Sequence, residues 1–313
     1  LNEEESVTTT NEYRLPAGAT PSHYELTLTP DLEAFTFSGR AVVDLTVERA
    51  ASSIVLNAAE LTFSGASITL ANGDVVQAKD IALDEASERV TMVFDQELQP
   101  GTARLSMDYT GILNDQLRGF YRARYVDAGG VQRYMAATHL EATDARRAFP
   151  CWDEPSIKAT YGITLNVPSE LVALSNMPVD ESTDQGNGVK TVRFMKTPKM
   201  STYLVVFVMA DMVSVEEKTK HGTTMGVWAI RGKEEQGRFA LETSVKVLDY
   251  FNDYFKIPYP LPKMDHIAVP DFAAGAMENW GGITYRETAL LFDPENSAAA
   301  SRQRIAEVVA HEM

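Results

Sequence analysis

Tyr24-Glu25-Leu26-Thr27-Leu28 alternates apolar and polar side chains residue by residue. A strand turns successive side chains to opposite faces, so this spacing puts Tyr24, Leu26 and Leu28 in a core and leaves Glu25 and Thr27 toward solvent. The same period returns in Val43-Asp44-Leu45-Thr46-Val47 and in residues 90–94, 105–109, 163–167 and 192–195. Turn formers such as Ala71-Asn72-Gly73-Asp74 and Gln185-Gly186-Asn187-Gly188 separate these runs. The apolar stretch Tyr203-Leu204-Val205-Val206-Phe207-Val208-Met209 fits a buried strand. No helical period of useful length interrupts this part. Residues 12–215 are therefore predicted to form an all-β domain, a sandwich or saddle of antiparallel sheets. The polar, acidic residues 1–11 are expected to form a loose tail.

The pattern changes after Glu216. A strand-like run over residues 225–230 leads into a helical stripe made by Leu241, Val245, Leu248, Phe251 and Phe255, with Glu242, Lys246 and Asp249 outside it. Pro258 and Pro260 end that helix. Then come a strand at His266-Ile267-Ala268-Val269, a Gly-rich turn, a second strand around Ile283-Thr284-Tyr285, and a helical pattern from Ser297 to the last residue. Residues 216–313 read as the beginning of a second, α+β domain.

Composition limits the function classes. The chain has 313 residues, 44% of them hydrophobic, and a formal net charge of -16. So acidic a surface repels nucleic acid and anionic membranes, and neither is expected as a partner. No apolar run approaches the ~18 residues of a membrane-crossing helix. Cys151 is the single cysteine, so no intrachain disulfide forms, which fits a reducing compartment such as the cytoplasm without fixing one. The chain opens on Leu1, so a leader is expected to have been trimmed or omitted.

Two short segments carry chemistry. The last is Val308-Val309-Ala310-His311-Glu312-Met313. In an H-E-x-x-H motif, two histidines one helical turn apart bind zinc and the Glu between them acts as general base. Only the first half is present, and a lone His-Glu on a helix is usually an ordinary surface pair. The other is Gly275-Ala276-Met277-Glu278-Asn279-Trp280-Gly281. Read blandly, it is a tight turn whose terminal glycines permit unusual backbone angles. Read functionally, Gly275 and Ala276 let an extended peptide approach and pair as a strand. Glu278 then holds a positive amine by a charge-assisted hydrogen bond.

This segment, followed a few dozen residues later by His311-Glu312, resembles the G-A-M-E-N and H-E-x-x-H pair of the gluzincin aminopeptidases, of the aminopeptidase N and puromycin-sensitive type. A third stretch agrees: Glu141-Ala142-Thr143-Asp144-Ala145-Arg146-Arg147-Ala148-Phe149-Pro150-Cys151-Trp152-Asp153-Glu154-Pro155 is similar to the family's joint between β domain and active site. Its mixed charges and aromatics read as a partly buried, structural ion network, with Cys151 packed rather than reactive. The resemblance runs from about Tyr13 to the last residue and includes the Pro258-Tyr259-Pro260-Leu261-Pro262-Lys263-Met264-Asp265 segment.

The resemblance implies a saddle-like antiparallel β sandwich followed by the start of a thermolysin-like α+β catalytic domain. It implies peptides with a free N-terminus as substrates and Zn2+ as cofactor of the complete enzyme. His311 would be the first zinc ligand and Glu312 the general base. Gly275, Ala276, Met277, Glu278 and Asn279 would contact substrate, and Glu141 would share the free α-amine with Glu278. His139 stands where many relatives have Gln, in the wall of the pocket for the first side chain. The second His, a ligand Glu and an oxyanion-stabilising Tyr fall outside these 313 residues. The chain alone is therefore expected to bind no stoichiometric zinc and to hydrolyse nothing, since three protein ligands are the usual minimum. Three alternatives stay open: an epoxide-hydrolase relative, whose motif carries Gly where Ala276 stands; an endopeptidase on a related zinc fold; and a non-catalytic peptide-binding or structural β module.

Overall fold

The computed structural model describes residues 14–313; the tail expected over residues 1–11 lies outside them. The strands in chain order are β1 (Ala19–Asp31), β2 (Thr36–Val47), β3 (Ala51–Asn57), β4 (Leu61–Leu70), β5 (Val75–Asp84), β6 (Arg89–Leu98), β7 (Gly101–Ile112), β8 (Gly119–Val126), β9 (Gln132–His139) and β10 (Thr160–Pro168). They continue as β11 (Val172–Ser175), β12 (Val179–Gly186), β13 (Val189–Phe194), β14 (Phe207–Ala210), β15 (Met212–Lys218) and β16 (Thr224–Ile230). Helix α1 (Arg238–Phe255), β17 (Lys263–Val269), β18 (Ala276–Met277), β19 (Gly282–Arg286) and α2 (Ala299–His311) complete the order.

Ten strands form one sheet in the order β12-β13-β10-β1-β2-β7-β4-β5-β6-β3. All its neighbours are antiparallel except β1 and β10, which run parallel with Tyr24 opposite Tyr161. Period-2 alternation sends Tyr24, Leu26 and Leu28 inward, all nearly fully buried. They meet a four-stranded sheet, β11-β14-β9-β8, across a core that includes Phe37, Tyr109, Phe120, Phe149 and Phe207. This is the β sandwich that the alternating runs predict.

The four-stranded sheet is apolar on both faces because it is covered on both faces. Phe120, Ala136 and Phe207 point into the sandwich, while Tyr121, Ala137 and Val208 point the other way and pack on Ile267, Val269 and Met277. Those three belong to a five-stranded sheet in the order β15-β16-β17-β19-β18. Its far face, with Met264, Ala268, Ile283 and Tyr285, is covered by Leu241 and Leu248 of α1 and by Ile305, Val308 and Val309 of α2. The molecule is thus a stack of sheet, sheet, sheet and helices, with β18 on the rim of the third sheet.

Three expectations need correction. Only Phe207 to Met209 of the 203–209 run are strand; Thr202–Leu204 is a 3-10 turn. The Ser201 and Thr202 hydroxyls bond Pro155 O and Asp153, and this capture bends the chain before the strand begins. Phe255 does not join the buried stripe of α1 but is 59% exposed, at the last turn before the left-handed Lys256. The last helix stops at His311 rather than at the final residue, with Glu312 as its cap.

Candidate active site

The rim strand β18 is two residues long and pairs on one side only, Ala276 against Tyr285 and Met277 against Thr284. Its other edge carries free backbone groups of the kind an extended peptide can bond. Gly275 exposes this edge: a side chain there would meet nothing nearer than Arg304 Nη2 at 4.0 Å, and its φ is not in the left-handed region. Its smallness serves approach rather than a turn. Of the two terminal glycines of the segment, Gly281 is the one that needs its conformation, at φ +82°.

Met277 is fully buried, whereas Glu278 is turned outward. Asn279 makes that reversal possible. It is 1% exposed; its backbone N donates to Met277 O at 2.9 Å and its Nδ2 to Thr284 Oγ1 at 3.0 Å. Asn279 is thus placed as the brace of the turn, with its side chain withdrawn from solvent. Lys263 Nζ donates to Gly281 O at 2.7 Å and Asn176 Nδ2 to Trp280 O at 2.9 Å, which fastens the end of the loop to the neighbouring strand and to the sandwich.

Two cavities flank this loop, and Glu312 lines both. One, of about 390 Å³, is walled by Gly275, Ala276, Arg304, Val308 and His311. The other, of about 350 Å³, is walled by Tyr203, Glu278, Asn279, Trp280 and Met313. Burial raises the Glu312 carboxyl above the usual range; His311 opposes the rise, and the charges of Glu278 and Glu141 add to it. Burial also raises the Tyr203 phenol, again with Glu278 and Glu141 adding to the effect, so its hydroxyl keeps its proton. Glu141, Glu278 and Glu312 therefore lie within electrostatic reach of one another's surroundings. Among the described residues no Lys or Arg forms an ion pair with any of the three, while His311 acts on Glu312 against the effect of burial.

Glu141 follows the end of β9, is exposed, and precedes a cis peptide bond to Ala142. It lies off the walls of both cavities but near enough to act on Glu312 and Tyr203. His139, at the end of β9, lies against Phe272 with the rings tilted at 38° and their centroids 4.7 Å apart. Its Nδ1 sits 3.1 Å from Leu117 O, which can only accept, so that nitrogen carries the proton. His139 also lies off both cavity walls. His311 is exposed on α2, and among the described residues no three His, Cys, Asp or Glu side chains gather to hold a metal.

The ion network expected around residues 144–154 is present. Arg146 bridges Asp153 and Glu88, each at 3.0 Å; Arg147 reaches Asp144 at 2.7 Å as well as Glu60 and Glu88. Cys151 is buried and free, its thiol raised by that burial. Two site residues escape the sequence pattern. Tyr203 hides inside an apolar run, and Arg304 is one of several charges on α2 with no spacing to mark it.

Comparison with known proteins bears on the family of the chain. The Peptidase M1 N-terminal domain matches residues 20–204, and the Peptidase family M1 domain matches residues 239–313. Aminopeptidase M1-B of Oryza sativa subsp. japonica is 52% identical over 300 residues, which are 96% of this chain and 34% of that protein. Aminopeptidase M1 of Arabidopsis thaliana is 48% identical over 305 residues, with the same two shares. The puromycin-sensitive aminopeptidase of Caenorhabditis elegans is 43% identical over 301 residues, 96% of this chain and 32% of that protein. The chain spans about a third of the length of these relatives. With one family domain covering more than half of its residues and a second its last part, the chain belongs to the M1 peptidase family.

Proposed function

We propose that this chain is the substrate-recognising front part of a zinc-dependent aminopeptidase, which removes N-terminal residues from peptides. The observation that carries the reading is the pair Glu141 and Glu278, which both act on Glu312 and Tyr203 and have no Lys or Arg ion-pair partner among the described residues. Two carboxylates with no Lys or Arg partner are complemented by a cation that enters with the ligand, and a peptide's α-ammonium is such a cation. Glu278 and Glu141 accept its N–H groups, while the open edge of β18 pairs with the peptide backbone. A blocked or internal amide brings no charge and leaves both carboxylates unpaired, which gives selectivity for free N-termini. The wall for the first side chain is assigned to His139, two residues before Glu141 and tilted against Phe272.

Glu312 is the proton acceptor of the proposed reaction, its carboxyl raised by burial above the usual carboxylate range. Zinc is the metal that the resemblance implies, and His311 is the residue of this chain with the donor for it. The described residues do not complete a ligand set, so they do not by themselves fit the ion. When bound, such a metal supplies Lewis-acid activation of the scissile carbonyl and of water.

The test is hydrolysis of leucyl-anilide and N-acetyl-leucyl-anilide by a relative-length polypeptide that carries this chain. Release from the first and not from the second is expected. Equal release from both, or cleavage only within longer peptides, would remove the reading.

A further inference from the structure

Asp153 is a carboxylate with 1% side-chain exposure, and both of its oxygens are bonded. Oδ2 accepts from Arg146 Nε at 3.0 Å, and Oδ1 accepts from the Thr202 hydroxyl at 2.7 Å. The two partners belong to different segments of the β domain, and each segment delivers a group to the candidate site. Arg146 lies in the turn that follows Glu141, a turn closed by Asp144 N donating to Leu140 O at 2.9 Å. Thr202 immediately precedes Tyr203, which shares the cavity of Glu278 and Glu312. The next hydroxyl along, Ser201, donates to Pro155 O at 2.7 Å and presses the same turn onto the same stretch.

We propose that Asp153 is a positioning residue for the amine site, setting the distance between Glu141 and Tyr203 through Arg146 and Thr202. The proposal rests on the reading of that site given above. A carboxylate suits this place because it accepts from a guanidinium and a hydroxyl at once, which an amide does less well. Burial removes competing water from both bonds and makes them stiff. Arg146 is itself held from behind, its Nη1 3.0 Å from Glu88 Oε2, so a shift at Thr202 cannot be absorbed by swinging the guanidinium. Strands β9 and β14 are joined near the same place by Phe207 N donating to Thr138 Oγ1 at 3.1 Å. That bond fixes the strands, whereas Asp153 fixes the two turns that extend beyond them.

The direct substitution, Asp153→Asn, strips a buried guanidinium of its charge partner and endangers the fold. Thr202→Val is the cleaner change, since it keeps the Arg146–Asp153 pair and the side-chain shape and removes only the hydroxyl bridge. The probe is L-leucinamide, with N-acetyl-L-leucinamide as the uncharged control, titrated into the 313-residue chain by NMR. The original chain is expected to prefer the free amine. Thr202→Val is expected to weaken L-leucinamide about tenfold, the scale of one bond to a charged group, with the control unchanged. Thr202→Ser, which keeps the hydroxyl, restores the affinity. Original-level binding in Thr202→Val overturns the positioning role and leaves the amine site standing. A loss that Thr202→Ser does not repair also overturns it, because packing rather than the hydroxyl would then be responsible. If the original chain shows no preference for the free amine, the amine site falls and the positioning role falls with it.

Discussion

Asn176 and Gly281 are in backbone contact across the seam between the sandwich and the third sheet: a Cβ at Gly281 would lie 2.2 Å from the Asn176 carbonyl oxygen. Asn176 is 1% exposed; its Nδ2 donates to Leu204 O at 2.8 Å and Trp280 O at 2.9 Å, and its Oδ1 accepts from Val206 N at 3.0 Å. One amide thus fixes the turn after Tyr203 and the loop after Glu278 to the same point. Gly281→Ala meets both this contact and the left-handed φ, and neither is avoidable without moving the loop. It is expected to lower stability by about 3 kcal/mol, measured by urea unfolding. An unchanged midpoint would mean that the loop yields without cost.

Glu278→Gln keeps the shape of the side chain and removes its charge. In a relative-length polypeptide carrying this chain, kcat/KM for a free-amine anilide is expected to fall about a hundredfold, the loss of one strong charge-assisted bond. Activity on the acetylated substrate stays at its already low level, so selectivity collapses from one side. Glu141→Gln should act in the same direction. Full retention of free-amine preference in both variants would reassign the two carboxylates.

Zinc titration of the 313-residue chain tests the metal directly. His311 is exposed and has no companion ligands among the described residues, whereas protein zinc sites use three or four. Calorimetry is expected to show no 1:1 site tighter than about micromolar, far from the affinity of complete sites. A stoichiometric site that His311→Ala abolishes would show that the chain gathers ligands in a way its described geometry does not display.

The strands were legible because their signal is local: Leu26 and Leu28 declare their face by a period of two, and the structure buries both. The 3-10 turn at Thr202–Leu204 was not, because the groups that create it, Asp153 and Pro155, are about fifty residues away in sequence. The same distinction runs through the site. Glu278 and His311-Glu312 are marked by motif spacing, and the structure brings Glu278 and Glu312 to one cavity. Tyr203 and Arg304 reach that region only through the stacking of layers, and no spacing announces them. Asn279 sits inside the motif yet points inward, since a pattern of residue types does not say which side chain braces a turn and which faces a ligand.

His266 offers a test of the layer beneath the site. It stands in β17 with 0% exposure, on the face that carries Tyr285, and its Nδ1 is 2.9 Å from the Tyr285 hydroxyl. Nε2 has no partner among the described residues, so nothing compensates a positive ring. Burial accordingly lowers its pKa to about 3 from the ordinary 6.5. Between those values the unfolded chain binds a proton that the folded chain refuses. The neutral ring is therefore fully tolerated above about pH 6.5, and stability is lost as pH falls from there toward 3, by up to about 1.4 kcal/mol per pH unit. His266→Met fills similar volume and does not titrate. The stability difference between the original chain and this variant should therefore shift by about 2 kcal/mol against the original between pH 6.5 and 5, as measured by urea unfolding. Carboxylates titrate in both proteins and cancel in that difference, which isolates the imidazole. A difference independent of pH would mean that the buried ring accepts its proton at an ordinary pKa, through a partner that reaches Nε2.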